Sequence, residues 1–465
     1  MANLKEKIGY GFGDMSSSMF WKVFSYYLPF FYSNIFGISL VDAGILMLVT
    51  RIWDAVSDPM MGILADRTST KWGKYRPYLL WIAPLFSIAG ILLFTTPDWS
   101  YGAKLIWAYV TYIIMMTVYT AINVPYGAML GVMTDDSNEK TVFSSFRMFF
   151  AYGGSFISLF CWEPLCELFG GYDTTGGWFW AMVSVAVACF VMFIICFMYT
   201  REHLKTVSTV SVGSDISSLM KNKPWWLLIG AALCFNLFNT VRGSAVAYFF
   251  QDIIPVDAAI IIFATPIAFY GGLFLGVGEV SNMLGVSITV PISNKLGKKT
   301  TFILVNASLV VMSIAFYFVP STPMGYWIML IMQILISILT GIMSPLVWSM
   351  YADVSDFAEL EFKTASTGLI FSSSSMAQKF GGAIGGSAVV WLLSGFGYIT
   401  DAQVLKSGLV TQPAEALECL RWLMSFIPAG VAFVSMCIVY FYPLTTERIR
   451  DINDKLKVIR KGNML

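Results

Sequence analysis

The chain is built around long apolar stretches, and these fix its environment before any other feature is considered. A helix needs about 20 consecutive apolar residues to cross the hydrocarbon layer of a bilayer. Reading apolar runs between polar or Gly/Pro-marked breaks yields twelve such stretches, near 11–36, 43–66, 77–96, 102–131, 142–169, 177–199, 225–252, 262–293, 300–319, 326–353, 366–396 and 420–443. They are too long for barrel strands and lack two-residue alternation, so helices are expected and strands are not. Composition agrees: 57% of the 465 residues are hydrophobic and 12% charged, too little charge to coat a soluble fold of this length. Disorder, collagen-like repeats and small disulfide scaffolds are excluded by the same figures. The expected fold is all-α, a polytopic protein with twelve transmembrane helices whose surroundings are a lipid bilayer. The opening MANLKEKIGYGFGD is short and polar, with no small-residue cleavage site, so the first apolar helix is expected to target the chain itself.

Charge then orients the spans. With the N-terminus inside, twenty-one of the 29 Lys and Arg fall in the N-tail, the even-to-odd loops and the C-tail. Three (Lys104, Lys406, Arg421) fall on the other side, and five (Lys22, Arg51, Arg147, Arg242, Lys379) lie within spans. Cytoplasmic loops carry the excess of Lys and Arg, so both termini are expected in the cytoplasm. A net charge of +1 gives no reason to expect nucleic acid as a partner. The seven Cys form no CxxC pair and read as small apolar packing residues, with a Cys161–Cys166 disulfide a weak alternative. His203, the single histidine, lies in a polar linker, which excludes a histidine proton relay inside the membrane.

The chain repeats itself. Lys71-Trp72-Gly73-Lys74, between spans two and three, is echoed by Lys295-Leu296-Gly297-Lys298 between spans eight and nine. Asn123-Val124-Pro125 with Met129 and Asp135-Asp136 is echoed by Met343-Ser344-Pro345 with Met350 and Asp353. Both offsets are close to half the length, which points to two related six-helix bundles. The expected organisation is an N-terminal bundle over 1–200, a cytoplasmic connector over 201–224, a C-terminal bundle over 225–445 and a cytoplasmic tail over 446–465. Parallel halves of this kind mark rocker-type transporters, with the substrate site between them at mid-membrane.

Ionisable side chains inside a membrane cost roughly 2.5–3.5 kcal/mol each at the bilayer centre on insertion scales, so they are functional by default. Span two carries Arg51-Ile-Trp-Asp54-Ala-Val-Ser57-Asp58-Pro59. Asp54 and Asp58, four apart, stack on one helix face. Two such carboxylates repel each other, and one takes a proton unless a cation sits between them. A hard cation wants a cage of oxygens, which this face begins. Salt bridges to Arg51, Arg147 or Lys379 are the structural alternative. Further polar stripes run along span one (Asp14, Ser18, Lys22), span four (Thr120, Asn123, Gly127) and span eleven (Ser372, Ser375, Lys379). Such stripes face protein or water and not lipid. Arg147 and Arg242 add donors able to bind two oxygens at once, and Trp21, Tyr26, Tyr119, Tyr126 and Trp348 offer rings on which sugars stack, although most membrane-protein aromatics belong to cores and interfaces. Gly381-Gly382 and Gly385-Gly386 read as a close-packing face. Glu163 and Glu279 have no assigned role. No His/Asp, Cys/His or metal-ligand cluster stands out, so an enzyme and a cofactor other than a coupling ion are not expected.

These motifs resemble the glycoside-pentoside-hexuronide:cation symporters of the major facilitator superfamily. The resemblance rests on Lys7-Ile-Gly-Tyr10-Gly-Phe-Gly13-Asp14, Arg51-Ile-Trp-Asp54-Ala-Val-Ser-Asp58-Pro59-Met60-Met-Gly62, and Asp66-Arg67 through Trp72-Gly73-Lys74-Tyr75-Arg76-Pro77. Asn123-Val-Pro-Tyr-Gly-Ala, Lys221-Asn-Lys-Pro224-Trp, Ala352-Asp353-Val-Ser-Asp356, Ala377-Gln-Lys379-Phe-Gly-Gly and Tyr442-Pro-Leu-Thr445 extend it along essentially the whole chain, in the family's order. It implies symport of a sugar with Na+, H+ or Li+ through the inner membrane of a bacterium by a chain that works as a monomer. Asp54 and Asp58 would carry the cation, with Thr120 as an oxygen ligand. Ser18, Lys22, Asn123, Arg147, Ser375 and Lys379 would serve the substrate, and Asp14, Arg51, Arg242 and Trp348 are further candidates. Ser18, Asn123 and Gly127 stand where melibiose permeases have two carboxylates and a tryptophan. That departure leaves Asp54 and Asp58 against Arg147 and Lys379, a balance that admits a neutral or an anionic sugar. A cation-coupled carrier of lysolipid or another amphiphile is the alternative, with Lys22, Arg147 and Lys379 holding a phosphate.

Overall fold

The computed structural model describes residues 4–134, 137–203, 219–253, 260–262, 265–267, 270–362, 367–400 and 411–462. The first half holds α1 (Leu4–Phe30), α2 (Leu40–Arg67), α3 (Arg76–Leu93), α4 (Tyr101–Met133), α5 (Ser137–Leu168) and α6 (Thr175–Tyr199). The second half holds α7 (Lys223–Asp252), α8 (Tyr270–Leu296), α9 (Lys298–Tyr317), α10 (Pro323–Phe362), α11 (Thr367–Gly395), α12 (Ala414–Met424) and α13 (Phe426–Tyr440), followed by α14 (Thr446–Gly462). Each of the twelve apolar runs is therefore helical, with two corrections. The run read as 262–293 becomes helical only at Tyr270; ahead of it Ile260–Ile262 (β1) and Thr265–Ile267 (β2) pair as a short antiparallel ladder. The last span begins at Ala414 rather than 420, and it breaks at Ser425, whose φ of −131° and ψ of −86° are not helical. The weak disulfide reading also fails, because Cys161 and Cys166 are free thiols.

Among the described residues, eight helical segments are long and apolar enough to cross a membrane. The long helices that fall short are α1, α2, α5 and α11, the ones in which the sequence places Asp14 and Lys22, Asp54 and Asp58, Arg147, and Lys379. Polarity is concentrated where a helix can afford it only by facing protein or water.

Local chemistry sets several helix ends. Ser39 caps α2, its Oγ accepting from the Asp42 N–H at 3.1 Å, an arrangement that satisfies a helix-start donor. Thr174 does the same for Gly177 at the start of α6. α1 runs into a π-helical turn over Phe31–Phe36 and stops at Gly37, whose φ of +82° favours glycine.

The chain divides into two compact units, residues 1–208, 243–280 and 386–420, and residues 209–242, 281–385 and 421–465. In the first unit α1 lies against α5 and α6, α3 against α4 and α6, and α2 against α4. At one end Trp178 is ringed by Phe30, Phe31, Phe94, Trp162 and Tyr172, at centroid distances from 5.1 to 6.2 Å. Parts of later helices join this end: Ser33 and Tyr248 share a hydrogen bond of 2.8 Å, and the Ser387 hydroxyl donates to the Gly44 carbonyl at 2.9 Å. In the second unit α9 packs on α13 and α10, and α10 on α14. There the close-packing face on α11 is real, since a Cβ at Gly381 would lie 2.7 Å from the Leu233 carbonyl oxygen and one at Gly385 2.9 Å from the Thr240 Cβ.

The two echoed loops share a backbone device. Gly73 and Gly297 both have positive φ, +116° and +83°, which glycine adopts without strain. Around Gly73 the Glu202 carboxylate accepts from the N–H groups of Lys74, Tyr75 and Arg76 at 2.7–2.8 Å. Beside Gly297, Lys298 pairs with Asp353 at 2.6 Å.

Candidate cation and saccharide site

The four-residue spacing on α2 does bring Asp54 and Asp58 to one place, and α4 meets them there. The Thr120 hydroxyl lies 3.1 Å from Asp54 Oδ1 and 2.8 Å from Asp58 Oδ1. Ser57 Oγ is 3.5 Å from that hydroxyl and donates to the Asp54 carbonyl at 3.1 Å. Asp54 is fully buried and Asp58 partly so. A threonine hydroxyl carries one proton and can donate it to one carboxylate at a time. With both acids ionised, one of the two short oxygen–oxygen contacts would set lone pair against lone pair. A proton or a bound cation removes that conflict.

Arg51 stands one turn before Asp54, with Nη1 4.0 Å from Asp54 Oδ2. Its guanidinium lies 4.5 Å over the Trp21 ring and 5.1 Å over Phe24, and Trp21 in turn meets Tyr119 at 5.0 Å. Stacking of this kind holds a desolvated guanidinium in place. The acidic cluster is thus wired to α1 through two cation–π contacts of Arg51. On the outer side of Ser57 and Thr120, between α2 and α4, a cavity of about 490 Å³ is lined mainly by apolar groups, including Trp53, Met60, Leu64 and Ala121.

Along α1 the partly exposed residues Asp14, Ser18, Trp21, Lys22 and Tyr26 recur at three- and four-residue spacing, so they share one face. Asp14 pairs with Arg147 of α5 at 2.9 Å, and that guanidinium lies 5.4 Å over Tyr126. Lys22 pairs with Glu279 of α8 at 2.6 Å and donates to Tyr26 Oη at 3.4 Å. On α4, Asn123 is partly buried and its amide donates to the Tyr119 carbonyl at 3.1 Å. A Cβ at Gly127 would meet nothing within 4 Å.

Three further candidates, Arg242, Trp348 and Lys379, belong to the second unit. Arg242, in the second unit, is buried and donates to the Met424 carbonyl at 2.6 Å and to Gln333 Oε1 at 2.9 Å, with Phe316 5.0 Å from its guanidinium. It ties α7 to α10 and to the end of α12. Trp348 meets Tyr351 edge-on at 5.9 Å, and Lys379 is partly buried on α11. The side chains of Ser372 and Ser375 lie outside the described residues.

Two acids without a role in the sequence now have partners. Glu279 completes the Lys22 pair, and Glu163 of α5 accepts from Tyr27 Oη at 3.1 Å. The signal for the first was available: a lysine and a glutamate, each too costly to insert alone, invite pairing whatever their separation in sequence. Two further acids join the charge balance drawn from Asp54, Asp58, Arg147 and Lys379: Asp14 pairs with Arg147, and Glu279 with Lys22, a base outside that balance.

Residues 9–446 match the MFS/sugar transport protein family. The chain belongs to that family. It is 32% identical over 457 residues to the inner membrane symporter YicJ of Escherichia coli K12, covering 98% of this chain and 95% of that one. It is likewise 32% identical to the isoprimeverose transporter of Lactiplantibacillus pentosus, over 98% of this chain and 92% of the other. The crystal structure of the nucleoside transporter NupG superposes with a TM-score of 0.64 at 13% identity, covering 94% of this chain and all of that one, and so supports the fold. The resemblance to the glycoside-pentoside-hexuronide:cation symporters is borne out as family membership, and the major facilitator fold with it. The amphiphile-carrier alternative is not favoured by these relatives.

Proposed function

We propose that the chain couples entry of a monovalent cation, Na+ or H+, to uptake of a glycoside, pentoside or uronide across the inner membrane of a bacterium, with both termini in the cytoplasm and each chain a complete carrier. The protein is a cation-coupled sugar symporter. The observation that supports the coupling role is the Thr120 hydroxyl shared by Asp54 and Asp58: its one proton serves one carboxylate at a time, and a cation or proton arriving there would satisfy the other. Two carboxylates and two hydroxyls suit a monovalent ion or a proton, and Ser57 supplies the fourth oxygen.

Binding there draws α2 and α4 together around the ion. Asp54 is then better screened from Arg51, and the change is felt at Trp21 and Tyr119, which flank the α1 face bearing Ser18 and Lys22. Sugar affinity rises with cation occupancy, and by linkage cation affinity rises equally with sugar. The loaded carrier then exposes the site to the other side by rocking of the halves 1–200 and 225–445 about the connector 201–224. In this reading the aromatic end around Trp178 is the outward one, and the loops at Gly73 and Gly297 are cytoplasmic.

Uptake of labelled saccharides into proteoliposomes, with and without Na+ at fixed pH, tests the reading and names the ion. Accumulation that needs a Na+ or proton gradient supports it. Equal uptake without either gradient, or no uptake of any saccharide, overturns it.

A further inference from the structure

The Lys22–Glu279 pair bears on which sugars the carrier accepts, a question that rests on the symport reading above. Lys22 is the more open member, with about 23% of its side chain exposed, while Glu279 behind it is 4% exposed. An ammonium has three protons to donate. Among the described contacts one goes to Glu279 Oε1 at 2.6 Å and one to Tyr26 Oη at 3.4 Å. The third can meet an oxygen of a ligand on the α1 face, where Ser18 stands one turn away. Gly243 lies against the Tyr26 ring so closely that a Cβ there would overlap it, which fixes the ring under Lys22. The lysine is thus held in one position by an acid it cannot leave cheaply.

Arg147, the other base of this face, is likewise matched by Asp14 at 2.9 Å. Neither base offers uncompensated positive charge. An arriving carboxylate would have to displace Asp14 or Glu279, or else sit beside one of them at like charge. A hydroxyl has no such conflict, because it accepts from Lys22 and leaves the ion pair intact. We infer that Glu279 is a specificity-determining residue which, by neutralising and positioning Lys22, sets the carrier to neutral glycosides or pentosides and against uronides.

The test compares uptake of a neutral alkyl glycoside with that of the corresponding uronide, under the coupling gradient, in wild type and in Glu279→Gln. The wild type is expected to favour the neutral sugar. In Glu279→Gln, Lys22 keeps its place but loses its counter-charge, and the neutral-to-uronide preference should shift toward the uronide by about tenfold or more, the scale on which truncating one partner of a close charge pair acts. Glu279→Asp should retain the wild-type preference. The double variant Lys22→Gln/Glu279→Gln, which removes both charges together, should return to it as well. Where Glu279→Gln reaches the membrane poorly, Lys22→Gln serves in its place: it leaves Glu279 without its base and should depress uronide uptake below wild type.

A wild type that prefers the uronide, or well-inserted variants with an unchanged preference ratio, overturns the inference while leaving symport intact. A wild type that accumulates neither sugar overturns the symport reading itself, which is a different result.

Discussion

The polar groups of the first unit fall into two regions built on opposite principles. Along α1 each acid has its base, Asp14 with Arg147 and Lys22 with Glu279, at 2.9 and 2.6 Å. Between α2 and α4 two acids converge on one hydroxyl, with the Arg51 guanidinium 4.0 Å from Asp54. Matched pairs cancel and present hydrogen-bonding groups without net charge, which suits a polyol. Converging carboxylates ask for a positive charge that the hydroxyl between them does not supply. Within one compact unit, then, charge pairing separates the place where a sugar would be read from the place where an ion would be held.

Substitutions can break or sharpen that contrast. Asp58→Asn should have the largest effect: gradient-driven accumulation should fall by more than about tenfold, while sugar exchange at equal concentrations is affected far less, since the loss is of coupling free energy rather than of the sugar site. Full accumulation by that variant would erase the distinction. Thr120→Ala should raise the cation concentration needed for half-maximal uptake by about tenfold, the order expected for losing a hydrogen bond to a charged group, whereas Thr120→Ser should stay near wild type. Asp14→Asn touches the paired region and should weaken sugar affinity by no more than about fivefold, because Arg147 is partly exposed and partly screened; the cation requirement should not move. The smallest effect is expected of Gly127→Ala, which adds a methyl group in open space on α4 and should leave both affinities within about twofold.

The legibility of these regions in the sequence follows from distance along the chain. Asp54 and Asp58 are one turn apart, so helical periodicity alone places them on one face, and Thr120 lies in the polar stripe of the next helix that α2 touches. The apolar runs declare their helices in the same local way, apart from the ladder before Tyr270 and the split of the last run. Glu279 lies 257 residues from Lys22, and no local pattern records that pairing. Arg242 is another case: two of its donors go to the Met424 carbonyl and to Gln333, partners that have no signature in a hydropathy profile. The break at Ser425 was hidden for a related reason, because the residues on both sides are apolar and the interruption lies in backbone angles alone.

Glu202, just beyond the end of α6, is hydrogen-bonded to three successive amides at the start of α3. A side chain at residue 73 would be strained by the φ of +116°, and its Cβ would lie 2.5 Å from the Glu202 carboxyl carbon. Two helices far apart in the chain are in effect bolted at one corner, and the polypeptide leading into the connector departs from that bolt. Anything that pulls on residues 200–203 therefore acts on the start of α3 as well as on the end of α6, because one carboxylate joins the two.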